Sequence, residues 1–171
     1  MHVKTDPWCS ASVVLPDKAA RILNIGGWTA NSTFAIRLYT PDGSPGVNGT
    51  NEWEENPAAL QLQVRWFSKP HTTCTVLVLN EFTIQGGRWY STEIVMANGS
   101  VLVVGGESGA GGAPDETLEI LPRIPGGSTV VDLDWLAETS PNNYYPFVNV
   151  LPCGYIFVGE SETTDYTNFP H

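Results

Sequence analysis

Three segments of the chain repeat one hydrophobic pattern: "ASVVLPDKAARILNIGGW" (11–28), "TEIVMANGSVLVVGGES" (92–108) and "FVNVLPCGYIFVGES" (147–161). In each, an apolar run rich in β-branched residues meets a polar turn (Pro-Asp, Asn-Gly or Cys-Gly), and a second apolar run follows. Alternation and β-branching predict strands, and the turn residues predict hairpins near Pro16–Ala19, Ala97–Ser100 and Pro152–Gly154. Gly-Gly or Gly-Glu closes each second strand, where a Cβ would obstruct a sharp bend or a close backbone approach. Shorter strand signals follow the first two units, "TFAIRLYTP" (33–41) and "ETLEILPR" (116–123). The stretch "STVVDLDWLAE" (128–138) reads either as a turn or two of helix or as a loop.

Short strands recurring in hairpin units predict an all-β fold of antiparallel blades, the signature of a β-propeller. At about 40–50 residues per blade the chain supplies roughly three. Closed rings typically use about 4–8, so residues 1–171 are expected to form a partial propeller within a larger domain.

Composition narrows the chemistry. Charged residues make up 15% and apolar residues 42%, too apolar for a disordered chain, while 17 glycines and 13 prolines do not suit a helix bundle. The net charge of −10 argues against nucleic acid and anionic membranes, whose phosphates would repel it. No apolar run approaches the roughly 18 residues that span a bilayer. Sequons at Asn31, Asn48 and Asn98 and the acidic, lysine-poor composition point to a secreted protein, although "MHVKTDPWCS" contains no signal peptide. Cys9, Cys74 and Cys153 are an odd number and show no C-x-x-C spacing, so neither a complete set of disulfides nor a zinc site follows from them.

The ordered phrases "DPWCSASVVLPD", "ILNIGGW", "AIRLYTP", "NEWEE", "GGRWYSTEIVMANGSVLVVGGE", "ETLEILP" and "YYPFVNVLPCGYIFVG" resemble the glyoxal oxidase family. These are fungal copper radical oxidases related to galactose oxidase, with a kelch-like seven-bladed propeller. The resemblance implies a partial kelch-like propeller of about three blades. It also implies oxidation of small aldehydes to carboxylic acids, with O2 reduced to hydrogen peroxide. In the family a cysteine ahead of the first hairpin is joined by a thioether to a tyrosine opening a later one. Carried over, these are Cys9 in "DPWCS" and Tyr90 in "GGRWYST". The sulfur would make the Tyr90 ring easier to oxidise and its oxygen would bind copper, so the implied cofactors are copper and a Cys-Tyr radical. Outside that family context, a small buried hydrophobe at Cys9 and ordinary packing at Tyr90 are the usual roles of such residues. Tyr144 and Tyr145 correspond to a packing element rather than to ligands.

The family's axial tyrosine followed directly by histidine, and its later histidine, have no counterpart here. His2, His71 and His171 occupy other contexts. Tyr90 alone cannot supply the tetragonal N/O field of Cu(II), so the chain is expected to be inactive and to bind no copper by itself. Residues 64–85, "VRWFSKPHTTCTVLVLNEFTIQ", fall outside the resemblance; without them "AALQLQ" would run directly into "GGRWYST". Valine codons begin with GT and one glutamine codon ends in AG, so one reading of this insertion is an unspliced in-frame intron. The other is an extra hairpin or surface loop. Two functional classes follow: a fragment of a copper radical oxidase, with aldehyde and O2 as partners in the intact family, or a kelch-type module binding a protein or glycan.

Overall fold

The computed structural model describes residues 2–29, 32–55, 62–64, 77–79, 84, 86–109, 111–122, 130–141 and 143–159. They form an almost entirely β structure of antiparallel sheets. β1 (Ala11–Val14), β2 (Ile22–Ile25) and β3 (Ile36–Tyr39) make the first sheet. β4 (Leu62–Val64) pairs with β5 (Leu77–Leu79). β6 (Thr92–Val95), β7 (Val101–Val104), β8 (Thr117–Leu121) and β9 (Val130–Asp132) form a four-stranded meander. The five-residue helix α1 (Asp134–Glu138) leads to the final pair, β10 (Phe147–Val150) and β11 (Ile156–Gly159).

The three repeated segments fold as the predicted hairpins. Leu15 N–H to Arg21 O, Met96 N–H to Ser100 O and Leu151 N–H to Tyr155 O close the turns joining β1–β2, β6–β7 and β10–β11. The "TFAIRLYTP" and "ETLEILPR" signals become β3 and β8. The 128–138 stretch makes the short helix that is one of its two readings, but its first part is a strand. Val130–Asp132 is a strand paired with β8, and only Asp134–Glu138 is helical. β9 is a sheet edge with two exposed residues, so it lacks the apolar alternation that marks a half-buried strand. In the 64–85 insertion, β5 pairs with β4, which ends at the insertion's first residue, while most of the remainder, with Cys74 and His71, lies outside the described residues.

Burial on both faces of the meander explains why "VLVV" is a continuous apolar run: all of Val101–Val104 is buried. One face carries Val101, Val103 and Leu121 against Leu23, Ile25, Ile36 and Leu38 of the first sheet. The other carries Leu102 and Val104 against Val148 of β10 and Leu136 of α1. β6, the first strand of the middle unit, touches β1 and β10, the first strands of the units on either side. The units of the three repeated segments thus stack through their first strands. The described residues do not close this stack into a ring.

Candidate functional site

Cys9, Tyr90 and Tyr145 each stand two residues ahead of the first strand of a unit, β1, β6 and β10. All three have left-handed backbones, with φ of 57°, 62° and 47°. A non-glycine residue in that region costs about 1–2 kcal/mol, so the surroundings must impose the shape. A backbone chain between units does so. Tyr90 N–H donates to Cys9 O at 3.1 Å, and Tyr145 N–H donates to Tyr90 O at 2.7 Å. Parallel bonds lie alongside, Gly27 N–H to Arg88 O at 3.1 Å and Gly106 N–H to Asn143 O at 2.7 Å. Arg88 and Asn143 each precede their tyrosine by two positions, so the same junction is built twice.

The repeated glycines are needed at these junctions. At Gly26 (φ +82°) a Cβ would fall 1.7 Å from Arg88 O, and at Gly105 (φ +64°) a Cβ would fall 2.6 Å from Asn143 O. No side chain fits there without moving the neighbouring unit.

Arg88 fixes the approach to Tyr90. Its guanidinium is fully buried, 2.8 Å from Glu119 Oε1 and 3.0 Å from Asp115 Oδ1. It also donates to the carbonyl oxygens of Gly105 and Thr117 at 3.0 and 3.2 Å and to Thr117 Oγ1 at 2.8 Å. A buried cation with two carboxylates and a full set of acceptors satisfies the condition under which such burial is tolerated. Next along the chain, Trp89 is locked by reciprocal backbone bonds with Glu107, at 3.0 and 2.7 Å.

Aromatic rings fill the junction. The Tyr90 ring lies 4.1 Å from that of Trp89, 5.1 Å from Tyr145 and 5.4 Å from Tyr144. Trp8, immediately before Cys9, lies 6.0 Å from Trp89 and 5.1 Å from Trp28. Tyr144 O–H donates to Glu107 Oε2 at 2.8 Å. The half-buried Cys9 is a free thiol, and its side-chain contact is the first cause raising the Tyr90 pKa, ahead of burial and the Glu107 charge. Burial first, then Cys9, raises that of Tyr145; burial first, then the Glu107 hydrogen bond, raises that of Tyr144. All three phenols therefore keep their protons at neutral pH.

The structure thus brings Cys9 and Tyr90, 81 positions apart, into contact. Tyr144 and Tyr145, read from sequence as packing, do pack against the Tyr90 ring, and Tyr145 also reaches Cys9. Sequence reading missed Glu107, Trp8 and Trp28. The signal for Trp8 was present: "WC", "WY" and "YY" stand at the same place before each first strand, an aromatic residue followed by the left-handed one.

Around Tyr90 stand a thiol, two further phenols and the Glu107 carboxylate. His2 is exposed and its backbone N–H donates to Glu52, while His71 and His171 lie outside the described residues. Among the described residues no three His, Cys, Asp or Glu side chains are grouped to hold a metal. The donor set at Tyr90 does not by itself fit the N/O field of cupric ion.

No protein-family model matches the chain. It is 46% identical over 172 residues to a WSC domain-containing protein of Arthroderma benhamiae, covering 99% of this chain and 16% of that protein. It is 28% identical over 174 residues to the aldehyde oxidase GLOX of Vitis pseudoreticulata, covering 98% of this chain and 26% of that protein. The chain therefore spans between about a sixth and a quarter of the length of these relatives. Its relationship to an aldehyde oxidase is distant but extends along nearly all of its length.

Proposed function

We propose that this chain is part of a copper radical oxidase that converts small aldehydes to carboxylic acids, with O2 reduced to hydrogen peroxide. It would contribute Cys9 and Tyr90 to the oxidising centre. The observation that carries the reading is the meeting of these two residues at a backbone junction that holds both in left-handed conformations. Such a junction brings the thiol to the phenol before any chemistry occurs, which supports the positional requirement for joining them.

The step assigned to this pair is a carbon–sulfur bond between Cys9 Sγ and the ring carbon beside the Tyr90 hydroxyl. The thiol hydrogen and one ring hydrogen leave with two electrons, which O2 accepts as hydrogen peroxide. Sulfur on the ring then lowers the cost of removing an electron from the phenol. Copper, where the longer protein binds it, would supply one-electron chemistry beside the ring. Its nitrogen ligands would come from outside the described residues. The larger propeller and a secreted location belong to the same reading.

Intact-mass measurement tests it. The longer protein, loaded with copper in air, is expected to be two hydrogens lighter than its sequence, and Cys9→Ser and Tyr90→Phe should each abolish the difference. Peroxide release from glyoxal or methylglyoxal should fall with both variants. An unchanged mass in the copper-loaded protein rules out the thioether, and peroxide release unaffected by Tyr90→Phe rules out the oxidising role.

A further inference from the structure

We propose that Trp28, Trp8 and Trp89 form an electron relay joining the protein surface to Tyr90. The inference rests on the rings alone and stands or falls separately from the aldehyde oxidase reading. Successive ring centroids are 5.1 Å apart from Trp28 to Trp8, 6.0 Å from Trp8 to Trp89 and 4.1 Å from Trp89 to Tyr90. The first two spacings fall within the range of packed aromatic pairs and the third is closer still, so no step has to cross a layer of aliphatic side chains. The outer members are open to solvent, Trp8 at 55% and Trp28 at 41%, whereas Trp89 is only 9% exposed. The series therefore begins at exposed indoles, passes a buried one and ends at the half-buried phenol of Tyr90.

The hydrogen bonding distinguishes a relay from a trap. Trp89 Nε1 is buried and meets no partner. An indole cation formed there has no base to take its proton, so it does not settle into a neutral radical. It returns to the closed-shell ring by drawing an electron from a neighbour. Trp8 and Trp28, being exposed, can release the indole proton to water. Tyr90 is the terminus because, at neutral pH, a phenol is oxidised to its neutral radical more easily than an indole.

One-electron oxidation with azidyl radicals makes the path observable without any metal. The radical takes an electron from Trp8 or Trp28 and becomes azide, and the indole proton passes to water. An electron then moves outward from Tyr90 through Trp89, the Tyr90 hydroxyl proton is lost to water, and the outer indolyl regains its proton from water. The net change is indolyl plus phenol to indole plus phenoxyl, with charge and protons balanced. Run in the opposite sense, the relay lets a one-electron reductant at Trp8 or Trp28, such as a phenol, reset an oxidised Tyr90 from the surface.

The experiment is pulse radiolysis of the full chain in azide solution, following the indolyl band as it gives way to the phenoxyl band. It is done in a Tyr39→Phe background, because Tyr39 lies 5.3 Å from Trp53 and would contribute a phase of its own. The expected result is a first-order conversion whose rate does not change with protein concentration. Trp89→Phe should slow it by about tenfold or more, since phenylalanine is far harder to oxidise and cannot serve as the stepping stone. Trp8→Phe, at an exposed position whose loss leaves the core intact, should slow it comparably. A conversion that is second order in protein would overturn the relay, as would a rate unchanged in both Trp89→Phe and Trp8→Phe. Neither result bears on whether the Cys9 thioether forms.

Discussion

Glu93 is the least comfortable residue in the structure. It lies on β6 between the first sheet and the meander, only 7% exposed, and neither carboxyl oxygen makes a well-formed hydrogen bond. Burial pushes its pKa well above the ordinary carboxyl value of 4.5, with a looser contact to the Ile25 backbone acting the other way. In the folded protein the group therefore holds its proton, while in the unfolded chain it releases it at ordinary carboxylate pH. Its favourable contribution is complete below about pH 4.5 and is lost as pH rises through the folded pKa. Glu93→Gln removes the titration. The variant is expected to gain stability relative to the parent as pH rises above about 4.5, by up to roughly 1.4 kcal/mol per pH unit until the folded group ionises. Urea unfolding midpoints of the two proteins across this range measure it, and a constant difference would mean that the carboxyl is hydrated or paired. Nothing in the sequence marks this residue. In "TEIV" a glutamate reads as the solvent side of an alternating strand, and only the stacking of β1 on β6 turns that side inward.

At the scale of elements, the hairpins and their closing glycines were legible because turn chemistry and alternation are local. What the glycines face was not. Gly26 and Gly105 meet carbonyls of the following unit, at Arg88 and Asn143, and no spacing within one unit announces that contact. The proximity of Cys9 and Tyr90 was likewise reached through family resemblance rather than pattern, since it depends on units lying side by side. Gly26→Ala is expected to destabilise the protein by more than about 2 kcal/mol, combining positive φ with a Cβ that would overlap Arg88 O. Arg88→Met should cost about 3–5 kcal/mol by leaving Glu119 in the core without its guanidinium. Denaturant midpoints read both. An Arg88→Met protein as stable as the parent would show that the surrounding polar groups carry Glu119 without the cation.

Across the whole molecule, the three units are polar in their arrangement. Cys9, Tyr90 and Tyr145 gather at the end where first strands begin, while the turns after β1, β6 and β10 point the other way. The site is therefore shared between units, and its content is the sum of what each contributes: a thiol, three phenols, Glu107 and the indoles. A cupric centre with open coordination needs nitrogen donors in a fixed geometry, and a substrate needs a base to take its proton. The gathered phenols all have raised pKa values, so at neutral pH they hold their protons and none is available to take one from a substrate. The 171-residue chain, incubated with copper in air, is accordingly expected to release no peroxide from glyoxal, methylglyoxal or glycolaldehyde. A peroxide-coupled assay of the chain measures this directly. Turnover that disappears in Tyr90→Phe would contradict the expectation, because it would require the donors of this one end to hold and activate copper unaided.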